Sequence, residues 1–285
     1  MKTKINAADL KWGVEIETHI PAGITPIGGY HHGVQCPWLP QGWKAEHDGS
    51  IGGFRGERRA CEFVSPILSG VEGVKQLHGA ILEIERRGAR VNATCGVHVT
   101  VGFTGDAEAL GRLVNIVASF EAGLYAMTGT HSREQGHYCQ SVKQYGSKGA
   151  AQRNAENSRY HCLNLANISS GRVEFRIFSG TTNPVKILAW VAMCLGMVER
   201  AINGPKLDKW NPNSKILTDW SAGKGMGNLR WLLQRMEWRA DATVQWKWRG
   251  VFWRGVEGLP KPMQMKKELL RLGKKYDKEN QRAAA

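Results

Sequence analysis

Two glutamates spaced two residues apart, Glu15 and Glu17 in the run Gly13-Val14-Glu15-Ile16-Glu17, share one face of an extended strand, while Val14 and Ile16 take the other. Carboxylates held side by side on a rigid element are what a cation site needs. Further along come Asp48-Gly49-Ser50, Glu62-Phe63-Val64-Ser65-Pro66, Cys95-Gly96-Val97-His98-Val99-Thr100-Val101 and Arg172-Val173-Glu174-Phe175-Arg176-Ile177-Phe178. Each is a short strand-like run bearing an acid, a histidine or an arginine. Gathered on one sheet face, they would offer oxygen ligands, an imidazole and a guanidinium, the groups that suit a divalent cation and a phosphoryl group reacting with a carboxylate. Ordinary structural roles stay open for single residues. Glu17 can pair with Arg55 or Arg58, His98 can be a core histidine, and Glu174 can form a same-face salt bridge with Arg176.

The elements that must position these residues follow from pattern. A strand over 11–20 leads into a Gly-, Pro- and His-rich loop, Pro21 to Trp43, a candidate lid or substrate loop. Strands are expected around 44–48 and 59–66. Ser69-Gly70-Val71-Glu72 reads as a capping box opening a helix with Val74, Leu77, Ile81 and Ile84 on its apolar stripe, ending near Gly88. A strand at 95–103 precedes a helix over 107–127, and the polar stretch 129–158 reads as an active-site loop or flap. Strands at 160–168 and 172–179 lead to Asn183-Pro184, the N-cap and first turn of a buried helix. Gly223 to Asn228 lacks a preceding strand and a GKS or GKT ending, so it is assigned to a turn and not to a phosphate loop.

With 285 residues and 42% hydrophobic content the chain can bury a substantial core. Its longest apolar stretch, Ile187 to Val198, falls short of the roughly 20 residues that span a bilayer. No apolar signal segment precedes the first strand, and six cysteines without a CxxC pair read as reduced, which together point to the cytoplasm. A zinc site from His31, His32, Cys36, Cys95 and His98 lacks ligand spacing. The net charge of +14 favours phosphate-bearing partners and also serves solubility.

The order of the motifs is more specific than any one of them. Gly-Val-Glu-Ile-Glu at 13–17, His-Asp-Gly-Ser at 47–50, Glu-Phe-Val-Ser-Pro at 62–66, Cys-Gly-Val-His-Val at 95–99, Arg-Tyr-His-Cys-Leu-Asn-Leu at 159–165 and Val-Glu-Phe-Arg-Ile-Phe-Ser-Gly-Thr at 173–181 together resemble the amidoligase family, over roughly residues 10–200. That family belongs to the carboxylate-amine ligase superfamily with glutamine synthetase and glutamate-cysteine ligase. The resemblance implies an α+β fold, a curved and largely antiparallel sheet forming a funnel, with helices on its outer face. It implies ATP and Mg²⁺, Mn²⁺ being tolerated, and transfer of the γ-phosphoryl group to a carboxylate followed by amine attack on the acyl-phosphate. Carried onto this chain, Glu15, Glu17, Asp48, Glu62, His98 and Glu174 would be metal ligands, and Arg176 with Glu174 would be catalytic. Arg176, Arg159 and Lys143 are the candidates for ATP phosphate or acidic substrate. The amine would be an amino acid or polyamine. Family members act on peptides and, in phage-like gene settings, in the modification of DNA bases.

The composition changes near residue 205, so 1–205 is expected to form the ligase domain and 206–285 a basic, Trp-rich accessory region. From Leu229 onward there are fourteen Lys or Arg against six Asp or Glu. Trp246, Trp248 and Trp253 interleaved with Lys247, Arg249 and Arg254 would, if extended, form a stacking surface for nucleic acid; the alternative is that they pack an accessory layer. The tail from Lys261 reads as a basic amphipathic helix. Rival functions are a nucleic-acid-binding protein on an inactive ligase scaffold and a metal-dependent nuclease or phosphohydrolase.

Overall fold

The computed structural model describes residues 4–53, 56–134, 136–145, 148–204, 224–238 and 248–284. Seven strands, β1 (Trp12–Pro21), β2 (Val34–Gln35), β3 (Lys44–Glu46), β4 (Arg58–Val64), β5 (Gly96–Gly102), β6 (Leu163–Asn164) and β7 (Arg172–Ser179), form one open sheet. Their order is β2-β3-β4-β1-β5-β7-β6, and every pairing between them is antiparallel. The strand carrying Glu15 and Glu17 is therefore the middle one of seven. Its alternation fixes the faces: Val14 and Ile16 are buried with Phe63, Val97, Val99, Phe175 and Phe178 in one apolar layer.

The described helices are α1 (Gly70–Arg86), α2 (Ala107–Ala126), α3 (Lys148–Asn157), α4 (Pro184–Asn203), α5 (Lys224–Arg235) and α6 (Pro262–Ala284). Helix α4 lies against β5, α2 against β7, and α1 packs alongside α4. The Asn183 side chain caps α4 by accepting from Lys186 N–H, with Pro184 in the first turn, as its sequence predicts. Trp190 of this helix stacks on Phe178 at 4.8 Å and donates to the Met127 carbonyl.

Several local expectations are corrected. Ser69 stands at the N-cap of α1, yet its side chain makes no cap bond; its hydroxyl accepts from Lys11 Nζ at 3.2 Å. The stretch 129–158 is not a bare loop: it holds two 3₁₀ turns and α3, with Leu165 N–H bonded to the Ala155 carbonyl. The strand expected over 160–168 shrinks to two residues, since the chain turns away through Ile168–Ser170 to Gly171, whose φ is +68°. The glycine-rich 223–228 segment is not a turn from Lys224 on but the start of α5, where Asn228 accepts from Gly123 N–H and donates to the Ser119 carbonyl of α2.

Of the two readings of the C-terminal tryptophans, Trp248 and Trp253 follow the one in which they pack. Trp248 and Trp253 are 5% and 1% exposed, in the same core cluster as α2 and α4. Trp248 packs on Trp238 with ring centres 5.4 Å apart, and Arg249 is drawn into ion pairs with Glu199 at 3.3 Å and Glu237 at 3.0 Å. At Gly250, φ is +85°, and a side chain there would collide with the Ala192 carbonyl of α4. Residues 248–253 are therefore docked on α4, and Trp248 and Trp253 offer no stacking surface; Trp246 and Lys247 lie outside the described residues, and Arg254 is exposed. The tail forms α6 as a basic amphipathic helix, burying Met265, Leu269, Leu272 and Tyr276. No described helix is long and apolar enough to cross a membrane.

Trp248→Ala should lower the melting temperature by an amount equivalent to roughly 3–5 kcal/mol, the usual cost of truncating a buried Trp. Thermal unfolding followed by circular dichroism checks it; an unchanged melting temperature would return this residue to the surface.

Candidate functional site

The second face of the sheet collects the acids, and strand register does the collecting. Glu17 lies opposite Glu62, Glu62 opposite Glu46, and Glu15 opposite His98. Residues opposed across antiparallel strands project to the same side, so four glutamates and a histidine from β3, β4, β1 and β5 share one patch. Asp48, two residues beyond β3, joins them from a turn in which its carboxylate accepts from Ser50 N–H at 2.6 Å. Two groups of potential ligand atoms result, each mutually within 4.8 Å: Glu15, Glu62 and His98, and Glu17, Asp48 and Glu62. Glu62 belongs to both.

The β5–β7 pairing slips at this point. Val97 pairs with Phe178 and Val99 with Phe175, so two residues, Arg176 and Ile177, stand across from His98 alone. Such a bulge re-aims a side chain. Here it accompanies Arg176, 6% exposed, on the acidic face next to Glu174. Arg176 Nη1 donates to Glu174 Oε1 at 2.6 Å, and Asn164 of β6 donates to Oε2 at 2.6 Å. The salt bridge left open by the sequence is thus formed, and both Glu174 oxygens are engaged. Glu174 sits 3.6 Å from His98 Nδ1, beside the two ligand groups.

His98 is held by its neighbours, with Nδ1 3.1 Å from Glu15 and Nε2 3.5 Å from Glu17. Burial, reinforced by Arg176, lowers its pKa to about 4, so near neutrality the ring is neutral and keeps a lone pair to offer. Glu17 Oε2 accepts from Gly96 N–H at 2.5 Å. Arg58 does not pair with Glu17, since its Nη1 serves the His19 and Gly88 carbonyls, and Arg55 is outside the described residues. Burial, then repulsion from Glu15, Glu17, Asp48 and Glu46, pushes the Glu62 carboxyl up to about 10. Glu15 is raised by burial against the pull of Arg176, Arg159 and His31. A cation would relieve this crowding, and the donor set of carboxylates with one neutral imidazole fits Mg²⁺ or Mn²⁺.

The remaining candidates divide. Arg159 is exposed, close enough for its charge to act on Glu15, and Nη1 donates to the Tyr30 hydroxyl at 3.0 Å. This bond ties the Pro21–Trp43 loop, beside one sheet edge, to the segment before β6 at the other. Lys143 is not brought to the acids: its ammonium lies 4.0 Å from Glu121 of α2, a carboxylate that also accepts from Ser141 and Val142 N–H.

Three residues of the site went unassigned from sequence. Glu46 follows the Lys44-Ala45-Glu46 alternation and could have been read from it. Asn164 lies inside a quoted motif. Arg133, 7% exposed, comes from the turn after α2 and carries no local signal; its Nη2 donates to the Arg176 carbonyl at 2.6 Å. The absence of a side chain at Gly96 gives it room: a Cβ there would stand 3.1 Å from both terminal nitrogens of Arg133 and from His98 Nε2, so these groups would have to shift by a few tenths of an ångström. The Nε atoms of Arg133 and Arg176 are both buried without a hydrogen-bond partner among the described residues. Two buried guanidiniums place fixed positive charge beside the cation ligands, where an anion would be stabilised.

Among solved structures, PafA in its complex with the prokaryotic ubiquitin-like protein Pup, of which it is the ligase, matches over 95% of this chain and 64% of its own, with 12% identity and a TM-score of 0.38. GmaS with ADP matches over 78% and 63%, at 16% identity and 0.38, and apo GmaS over 90% and 71%, at 14% and 0.43. The chain therefore spans less than two thirds of the first two. No curated protein matches. The model of the family described as "Putative amidoligase enzyme" matches residues 30–148 and 144–198, more than half of the chain, and the protein belongs to that family.

Proposed function

We propose that this protein is an ATP- and divalent-cation-dependent carboxylate-amine ligase. The observation that carries the reading is the pairing, on one sheet face, of two ligand groups sharing Glu62 with two buried arginines, Arg133 and Arg176. Glu15, Glu17, Asp48, Glu62 and His98 would hold Mg²⁺ or Mn²⁺, which neutralises phosphate charge when bound. Glu174 contributes chiefly by fixing Arg176.

In this reading a carboxylate oxygen attacks the γ-phosphorus of ATP, a new P–O bond forms, and the bond to ADP breaks. An amine nitrogen then attacks the acyl carbon, the C–O bond to phosphate breaks, and the amine loses its proton as the amide forms. Transfer of this kind needs positioning and charge stabilisation more than a covalent nucleophile. Arg176, with Arg133 behind it, supplies planar donors for the charge of the transferring group. Arg159, at the Tyr30 contact, is placed to meet a nucleotide phosphate or an acidic substrate. The amine, an amino acid or polyamine, and the carboxylate, on a peptide or a modified nucleotide, complete the reading.

Two ligand groups sharing a carboxylate also describe a two-metal phosphohydrolase, which needs no ATP and makes no amide. Mass spectrometry of small molecules, peptides and nucleosides from cells expressing wild type or Glu15→Ala separates the two. A wild-type-specific amide supports the ligase, and cleavage products without ATP support the hydrolase.

Mg²⁺ with a non-hydrolysable ATP analogue should raise the melting temperature through binding to the native state, and Glu15→Ala should lose most of that shift. No shift for wild type at millimolar concentrations would sink the ligase reading. Arg176→Lys should lower turnover roughly 100-fold with a much smaller change in apparent ATP affinity, because a point charge cannot replace the planar fork. Near wild-type turnover would make Arg176 structural.

The crowded acids also predict a pH effect on the metal-free protein. Burial and the neighbouring carboxylates push the Glu62 carboxyl from the ordinary glutamate range up to about 10, so between those values the folded state binds the extra proton and this group's contribution to stability falls as pH rises. From pH 7 to 9 the melting temperature in EDTA should fall more for wild type than for Glu62→Gln. Equal slopes would show that the carboxylates do not repel as the geometry implies.

A further inference from the structure

A cavity of about 470 Å³ lies where α6 passes the ends of β5 and β7. Its wall includes Lys186, Arg271 and Lys275 with the hydroxyl residues Thr130, Ser132 and Ser179, and no acid is among the described residues that line it. Lys186 sits in the first turn of α4, where the helix dipole disfavours a cation. It has no ion-pair partner in contact among the described residues, and burial, with repulsion from Arg271 and Lys275, holds its ammonium below the ordinary lysine range against the pull of Glu268. The neighbouring cations are partly balanced from outside the cavity. Glu268 takes Arg271 through Nε and Nη2, and Glu279 lies 3.5 Å from Lys275.

The cavity adjoins the acidic patch by chain connectivity. Ser179 pairs with Gly96, whose N–H holds Glu17, and Ser132 precedes Arg133. A basic chamber thus stands next to the cation-ligand face. Three cations with hydroxyl donors around such a volume suit a dianion, larger than one carboxylate, and salt-sensitive attraction of phosphate is the expected chemistry.

We propose that this cavity binds a phosphate-bearing part of the substrate, distinct from ATP. The assignment to a substrate rests on the ligase reading; the anion site itself does not.

The test is titration calorimetry with inorganic pyrophosphate in EDTA, so that no metal-bound pyrophosphate forms on the cation-ligand face, on wild type and the double variant Lys186→Glu with Lys275→Glu, which leaves Arg133, Arg159 and Arg176 unchanged. Wild type should bind, and the variant at least 10-fold more weakly, while keeping the melting-temperature shift given by Mg²⁺ with the ATP analogue. Should charge reversal lower the apo melting temperature, Lys186→Met, which keeps the apolar stem, replaces it. Pyrophosphate displacing a short single-stranded DNA from wild type identifies a nucleic-acid backbone as the source; pyrophosphate binding without such competition identifies a free phosphate compound. No binding to wild type at millimolar concentrations, or equal binding to the variants, overturns the proposal. Pyrophosphate binding without any nucleotide shift in wild type would instead retain the anion site and remove the ligase reading.

Discussion

Like-charge crowding on the exposed side of the sheet is the constraint around which the rest of the molecule is arranged. Glu17, Glu46 and Glu62 are each less than a tenth exposed, and Glu15 and Asp48 stand against them. Such a cluster is costly in the absence of a cation, so the surrounding structure has to hold it by force of packing. The middle position of β1 does this, with paired strands on both sides and a continuous apolar layer of valine, isoleucine and phenylalanine beneath. An edge strand could twist or fray to let the carboxylates part. The middle strand cannot.

Arginine placement follows from the same constraint. Arg176 arrives through an irregularity in the β5–β7 ladder, and Arg133 through a turn whose guanidinium uses the space left by the missing side chain of Gly96. Both lie deep, and their backbone and side-chain contacts lock them together, Arg133 to the Arg176 carbonyl and Arg176 N–H to the Cys162 carbonyl. One terminal nitrogen of each, Nη2 of Arg133 and Nη1 of Arg176, is bonded within the protein. Guanidiniums held this way are preorganised, with little side-chain entropy left to lose when a ligand arrives.

What could be read in advance depended on whether the signal was local. The Glu15–Glu17 alternation, the α1 stripe and the Asn183-Pro184 start are encoded within a few residues, and they appear where periodicity puts them. The convergence of Asp48, Glu62 and His98 came from motif order, since no spacing rule joins residues so far apart. Arg133 depends on tertiary approach alone. The two-residue length of β6 depends on where the chain leaves β7, with Leu165 N–H already bonded to the Ala155 carbonyl of α3. Trp248 and Trp253 show the opposite difficulty. Alternating aromatic and basic residues look the same whether the aromatics meet a nucleobase or a helix, and only the contact with α4 at Gly250 decides it.

Glu62 belongs to both ligand groups, which makes them one thermodynamic unit. Whichever cation arrived first would displace the proton that this carboxyl holds at neutral pH, and the second would find the bridging oxygen already ionised. In the proposed reading, two positions joined through one titrating side chain would not fill independently: each cation would feel the other through the proton that Glu62 gives up, and by the same factor in both directions.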